Sequence, residues 1–275
     1  MLHLRPCRYA LRNLITAVSL FLGVWAASPG NTAEPFTAGI VISPPTGWTS
    51  EQTPIDFLDV VGLQTKARWR QLYRPPPPTP STDRPRASFT LGALIADAFL
   101  ALQAEDSQQF RNTNQDILGY CRVLGLSDKV SPRLMAMAKL AEMSQWADLR
   151  QEAVDGQQEL ARLLTDQRDE DLAALVDLGA WIRTLEVAST LVMEAPELEV
   201  RPLCIGAKAL LTELQSRFAG LSEPTRTHES IAPIGDTLSF LTRHWDLPEG
   251  EHPTPELVAK THEKLRNLMK KLTLK

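Results

Sequence analysis

The sequence predicts an all-α protein, an antiparallel bundle of about eight helices that follows an irregular, Pro-rich N-terminal segment. Three observations support this fold class. After residue 87, apolar residues recur at intervals of three and four, the period of a helix with one buried face. Glycines or Ser/Thr-Pro pairs stand at the ends of several such stretches, where helices stop and start. No run of any length alternates apolar and polar residues, as a half-buried strand would.

The helical domain is expected to cover residues 87–275. Its first apolar stripe consists of Leu91, Leu94, Ile95, Ala98 and Leu102. Further helical patterns follow at about 107–124, 131–143, 145–167, 169–193, 202–219, 228–244 and 255–272. Gly125 and Gly220 suit the C-terminal ends of helices, and Ser131-Pro132 and Thr254-Pro255 suit the N-terminal ends.

Two pentapeptides inside this domain are nearly the same: "LGALI" at 91–95 and "LGAWI" at 178–182, 87 positions later. Glycine within a helix costs up to about 1 kcal/mol relative to alanine, so its presence needs a compensating contact. The absence of a side chain lets a second helix approach closely. Because neither phosphate-loop motif occurs, Gly92 and Gly179 predict close helix crossings rather than a phosphate site.

The same offset superposes Leu118-Gly119 on Ile205-Gly206. This match raises the alternative that the domain is a duplication of two four-helix halves, 88–167 and 169–272. Short identities also arise by chance in helices rich in Leu and Ala, so both origins stay open.

Residues 1–33 have the pattern of a secretory signal peptide. Three arginines precede an apolar run from Leu14 to Ala27, which is followed by Pro29-Gly30. The run of 14 residues is shorter than the ~20 that a membrane-spanning helix needs. We therefore expect an exported protein, periplasmic or secreted, cleaved after Ala26 or Ala33 and without a transmembrane anchor in the mature chain; an uncleaved anchor is the alternative.

The net charge and the cysteines limit further what kind of protein this is. Cleavage after residue 33 removes three basic residues of 29 and none of the 33 acidic ones, so the net charge changes from −4 to −7. An acidic, exported protein is a poor candidate for nucleic-acid binding. Cys121 and Cys204 remain after cleavage. They either form one disulfide or act as small buried apolar residues within helices.

Residues 34–86 form a distinct Pro-rich and basic N-terminal segment. Thr53-Pro54 resembles a helix N-cap with proline at the first position, and apolar spacing predicts one helix over 54–74. Four consecutive prolines, 75–78, must end this helix. They favour a semi-rigid polyproline II spacer.

The same segment carries an excess of positive charge. Six basic residues face one acid, Asp83, over residues 66–86; they are Lys66, Arg68, Arg70, Arg74, Arg84 and Arg86. The helical domain has 20 basic and 28 acidic residues, so docking of the segment on that domain is the favoured interpretation. The alternative is an anion-binding surface for anionic lipid or glycan, formed by the first four of these residues.

One loop has the residue types of a metal site. His244, Asp246, Glu249 and His252 lie within nine residues between predicted helices, and imidazole and carboxylate groups bind zinc and similar cations. However, the prolines around Glu249 and His252 keep this pair off a helix, and no HExxH or Cys-x-x-Cys motif occurs. A solvated acidic loop is the favoured interpretation, and no cofactor is expected.

Charged residues also interrupt the apolar stripes. Asp97 lies among apolar neighbours, Asp177 precedes the second glycine, and Arg183 and Glu186 are spaced to pair on one helix face. These residues either form solvated edges and core ion pairs or line a pocket that orients a ligand.

Two functions remain compatible with the sequence. The first is a non-catalytic, exported helical protein that binds or scaffolds an unknown partner. The second is a metal-binding protein or an enzyme that uses the loop near residues 244–262. No GxSxG elbow or other motif of nucleophilic catalysis supports the second.

Overall fold

The computed structural model describes residues 53–64, 67–77, 79–194, 208–247 and 253–273, and within them it contains ten α-helices and no strand. The predicted all-α, multi-helix class is confirmed. The helices are α1 (Pro54–Gln64), α2 (Arg84–Gln103), α3 (Ser107–Val123), α4 (Ser127–Glu142), α5 (Trp146–Asp166), α6 (Glu170–Glu194), α7 (Lys208–Ala219), α8 (Glu223–Arg226), α9 (Ala232–His244) and α10 (Pro255–Thr273). A 3-10 turn, Trp69–Leu72, lies between α1 and α2. The predicted signal peptide, residues 1–33, lies outside the described residues.

Helices α2 and α6 form the centre of the fold. From α2 to α6 each helix packs against the next, and α2 and α6 close the arrangement by packing on each other. Helices α1 and α10 add to the same core, since both contact α2 and α6. Helix α2 has the length and hydropathy of a membrane span. However, 83% of its most apolar 18-residue stretch is buried in the fold, as expected for a central core helix.

The four connections that join α2, α3, α4, α5 and α6 in sequence share one geometry. Each has a residue of positive φ directly after the last helical turn, and the next N–H group bonds to a carbonyl five residues back, a Schellman motif. At Gly125, φ is 73° and the bond runs from the Leu126 N–H to the Cys121 carbonyl, as predicted for a C-terminal glycine. Glu105, Ser144 and Arg168 take the same conformation without glycine's freedom. Three-residue connections of this kind reverse the chain between neighbouring helices.

The predicted helix over 54–74 is wrong in its extent. Helix α1 begins at Pro54, and Asp56 accepts hydrogen bonds from both the N–H and the hydroxyl of Thr53, as expected of a capped start. Residues 67–68 are not helical, and only a short 3-10 turn follows. The chain folds back so that Trp69 packs on Gly62, where an added Cβ would lie 3.2 Å from the indole ring. A continuous helix would separate the two residues by about 10 Å.

Two other predicted boundaries differ. Helix α4 begins at Ser127, four residues before the predicted start, and contains Pro132. Proline there removes one backbone bond near the helix start, while the Ser131 hydroxyl donates to the Ser127 carbonyl at 2.6 Å. The pattern over 228–244 is not one helix, because α9 begins only at Ala232.

The repeated glycines lie at the crossing of α2 and α6. A β-carbon added to Gly92 would overlap the Val176 carbonyl, and one added to Gly179 would overlap the Phe89 carbonyl. Val176 lies 87 positions after Phe89, which is the offset between the two glycines. The crossing is therefore a local two-fold arrangement in which the two pentapeptides pack on each other. The predicted close crossing is confirmed, with backbone against backbone.

Candidate functional site

A buried arginine organises the polar groups of the core. Arg183 on α6 is 3% exposed, and each of its three guanidinium nitrogens has a different acceptor. Nε donates to Asp97 Oδ1 at 2.7 Å, Nη1 to Glu186 Oε2 at 2.7 Å, and Nη2 to the Leu72 carbonyl at 2.6 Å. Full pairing of a buried guanidinium is what its desolvation requires.

Arg74 extends this network to a fourth element. It donates from Nε to Asp97 Oδ2 at 3.1 Å and pairs with the same oxygen through Nη2, while Nη1 donates to Thr273 Oγ1 at 3.0 Å. Burial by itself raises the pKa of the Asp97 carboxyl, but Arg183 and Arg74 together hold that pKa below its usual value. Residues 71–75, α2, α6 and α10 are thus joined through charged hydrogen bonds.

A cleft of about 440 Å³, lined by both charged and apolar residues, lies beside this network, between α6, α10 and residues 71–75. We call it the α6–α10 cleft. Arg183, Glu186 and Thr190 of α6 line it at helical spacing. So do the α10 residues at positions 262, 266, 269, 270 and 273, which form one face of that helix. The cleft therefore exists because two amphipathic faces with charged edges meet there.

The cleft carries an excess of positive charge. Arg74 and Arg183 are neutralised by Asp97 and Glu186. Arg266 and Lys270 line the cleft but have no ion pair among the described residues. They attract anions.

His262 lines the same cleft in its neutral form. Its Nδ1 lies 3.2 Å from Ser189 Oγ and 3.4 Å from Thr190 Oγ1, and both hydroxyls donate to the Glu186 carbonyl. Because each hydroxyl hydrogen is used in that bond, the hydroxyl oxygens can only accept a hydrogen bond from His262. The imidazole hydrogen is therefore on Nδ1, and Nε2 keeps its lone pair. Burial lowers the pKa of His262 and nearby Arg266 lowers it further, while Glu186 opposes this change. The positive charge at neutral pH thus comes from Arg266 and Lys270.

Asp177, the fourth charged residue singled out in the sequence, is not part of this site. It pairs with Arg217 of α7. Burial raises the pKa of its carboxyl, and Glu213 adds to this effect although Arg217 opposes it. Asp97, Arg183 and Glu186 are brought together, whereas Asp177 stabilises a separate contact between α6 and α7.

Two of the four predicted anion-binding residues, Arg70 and Arg74, contact the helical domain. Arg70 lies 3.3 Å from Asp106 although its side chain is 68% exposed, and Arg74 belongs to the buried network. Arg68 is exposed, and Lys66 lies outside the described residues. In the same segment Arg84 pairs with Asp169 at 2.7 Å. These contacts are the kind that docking on an acidic domain would produce.

The candidate metal loop is only partly described. His244 contacts the Phe240 carbonyl through Nδ1 at 2.9 Å and stacks on the Phe240 ring, and Asp246 pairs with Lys208 at 2.9 Å. Glu249 and His252 lie outside the described residues. Within the described part of the chain, no group of three or more His, Cys, Asp or Glu side chains is placed to hold a metal ion.

Cys121 is a buried free thiol on α3, and burial raises its pKa to about 12. Such a thiol is a poor nucleophile at neutral pH, because only the thiolate reacts. Cys204, its possible disulfide partner, lies outside the described residues.

Sequence reasoning missed the part of the site that α10 contributes. The metal-loop hypothesis extended only as far as position 262, and no sequence motif singles out Arg266 or Lys270. The available signal was their spacing of four residues, which places all three on one face. No protein-family model matches the chain, and no characterised protein or solved structure is significantly similar to it.

Proposed function

We propose that the protein is an exported, non-catalytic binding module that holds a small organic anion, bearing carboxylate or phosphate, in the α6–α10 cleft. The observation that carries the proposal is the pair Arg266 and Lys270, which line the cleft without an acidic partner in the described structure. Arginine and lysine are the side chains that proteins use to hold such groups.

Binding is favoured over catalysis by the state of the other cleft residues. Glu186 accepts a hydrogen bond from Arg183, and His262 contacts the hydroxyls of Ser189 and Thr190. A carboxylate that is already paired with a buried cation is a poor proton acceptor, because protonation would break that pair. The shape of the cleft is also suitable. A concave cleft of about 440 Å³ can surround a small molecule, whereas a flat polymer would not fit into it.

Anion binding should depend on Arg266 and Lys270. Calorimetric titration of the purified protein with inorganic phosphate, citrate and glucuronate should reveal binding of at least one of them. The double variant Arg266→Gln/Lys270→Gln should weaken that binding about tenfold or more, because a charge-assisted hydrogen bond contributes roughly 1.5–3 kcal/mol.

Lys271→Gln is the matched control, since Lys271 is an exposed neighbour on α10 that does not line the cleft. It should bind the same anion as the unchanged protein does. Absence of binding by the unchanged protein at millimolar concentrations, or an equal loss in the control, would contradict the proposal.

Export makes a separate prediction about processing. The secreted or periplasmic protein should begin between Ala27 and Glu34, because the signal peptidase cuts after small residues that follow the apolar run. Mass spectrometry of the N-terminal peptide measures this directly. Mature protein that retains Met1 would show that the segment is not cleaved.

A further inference from the structure

A second, apolar cavity of about 60 Å³ lies among α2, α3, α4 and α5. Buried side chains form most of its wall, among them Phe99, Phe110 and Leu134. None of its lining residues belongs to the α6–α10 cleft. Whatever this cavity binds is therefore recognised by different chemistry.

Two side-chain amide oxygens at this cavity have no hydrogen-bond partner among the described residues. Asn114 on α3 is 6% exposed, and its Nδ2 donates to the Leu134 carbonyl at 2.6 Å. That bond fixes which way the amide faces, and it leaves Oδ1 buried without a hydrogen-bond donor. Gln157 on α5, which also lines the cavity, has a buried Oε1 in the same state. Buried acceptors are rarely left unpaired, so two in one cavity indicate a missing donor.

The mouth of the cavity lies between α4 and α5, because its partly exposed lining residues, Arg133, Gly156, Gln157 and Glu159, all belong to these two helices. The aliphatic part of the Arg133 side chain crosses Gly156, where an added β-carbon would lie 3.1 Å from Arg133 Cδ. Its guanidinium pairs with Glu152 at 2.5 Å and Glu159 at 2.7 Å, one on either side of that glycine along α5. Two carboxylates against one guanidinium leave the entrance with an excess of negative charge, which disfavours an anionic ligand.

We infer that this cavity binds a small, neutral, largely apolar molecule that carries one hydroxyl or comparable donor, which donates to Asn114 Oδ1. The apolar wall accounts for the apolar body, and the orphaned amide oxygen accounts for the donor. A volume of about 60 Å³ holds only a few heavy atoms, so the rest of an alkyl chain attached to the hydroxyl extends out through the mouth beside Arg133.

The test compares two isomers, 1-hexanol and methyl pentyl ether, on the full chain by isothermal titration calorimetry. They have the same heavy atoms and similar apolar area, but only the alcohol can donate a hydrogen bond. The alcohol should bind about tenfold more tightly. Equal affinities, or no binding of either, would overturn the inference and leave bound water as the partner of the amide.

Three variants locate the binding. Asn114→Leu should remove the preference for the alcohol, and Ala153→Leu should abolish binding of both isomers because the larger side chain fills the cavity. Asn112→Leu makes the same change at an exposed position of α3 and should leave the preference intact. Binding that persists in Ala153→Leu would place the alcohol elsewhere and overturn the inference. If a cavity variant does not fold, the isomer comparison on the unchanged chain still decides.

Discussion

Replacement of Gly179 with alanine should destabilise the fold by roughly 1–3 kcal/mol or more, and replacement with leucine should cost more still. A single β-carbon at this position already overlaps the Phe89 carbonyl of α2. Backbone cannot rotate away as a side chain can, so the two central helices must separate. Gly92→Ala should have a similar effect, because its β-carbon meets the Val176 carbonyl in the same way. Chemical denaturation with far-UV circular dichroism measures the change.

The chain offers a matched control for this prediction. Gly119 lies within α3, and a β-carbon there would lie 3.6 Å from Pro80 Cγ, an ordinary contact. Gly119→Ala should therefore be neutral or stabilise the protein by up to about 1 kcal/mol through helix propensity. If Gly179→Ala were as stable as Gly119→Ala, α2 and α6 would not be in backbone contact.

Replacement of Arg183 with methionine should destabilise the protein by about 3–5 kcal/mol. The change keeps most of the side-chain volume but leaves Glu186 buried without its cation, and Asp97 retains only Arg74. It also orphans the Leu72 carbonyl. Arg162→Met is the control, because Arg162 forms an exposed pair with Asp166 on α5 and such pairs contribute about 0–1 kcal/mol.

The loss of stability in Arg183→Met should depend on pH because of the Asp97 carboxyl, whose pKa is lowered in the folded protein. A lowered pKa contributes stability that is present above the unfolded value, about 4, and is lost as pH falls through the folded value. In Arg183→Met the carboxyl loses its main cation, so its pKa rises and protonation relieves the unpaired charge. The stability gap between variant and unchanged protein should narrow below about pH 4. A gap that stays constant from neutral pH down to pH 3 would contradict the role assigned to Asp97.

The sequence was sufficient for features that depend on neighbouring residues. The pair Arg183 and Glu186 follows from a spacing of three, and the cap at Thr53 from the proline after it. A mid-helix glycine needs a compensating contact, so the existence of a close crossing could also be inferred. That Gly92 and Gly179 cross each other could not, because no local pattern encodes which helix faces which.

The site itself depends on contacts between residues far apart in the chain. Asp97 meets Arg183 across 86 positions, and Arg74 reaches Thr273 across 199. Arg74 was placed on a continuous helix over 54–74, and that error hid its role in the buried network. The cavity around Asn114 left no trace in the sequence either, because an asparagine on an apolar helix face is common whether or not its amide is satisfied.

The bond between Arg74 and Thr273 also constrains when the α6–α10 cleft can form during folding. The series from α2 to α5 is joined by three-residue connections and can form while the chain is still being made, since local contacts form fastest. The bond from Arg74 to Thr273 and the bond from Arg86 to the Leu272 carbonyl must wait, because both acceptors belong to the last helix, α10. Closing so long a loop comes late, so the α6–α10 cleft is completed in the final step of folding. Under the proposed function, an anion would therefore bind only chains that have been synthesised through residue 273 and have folded around α10.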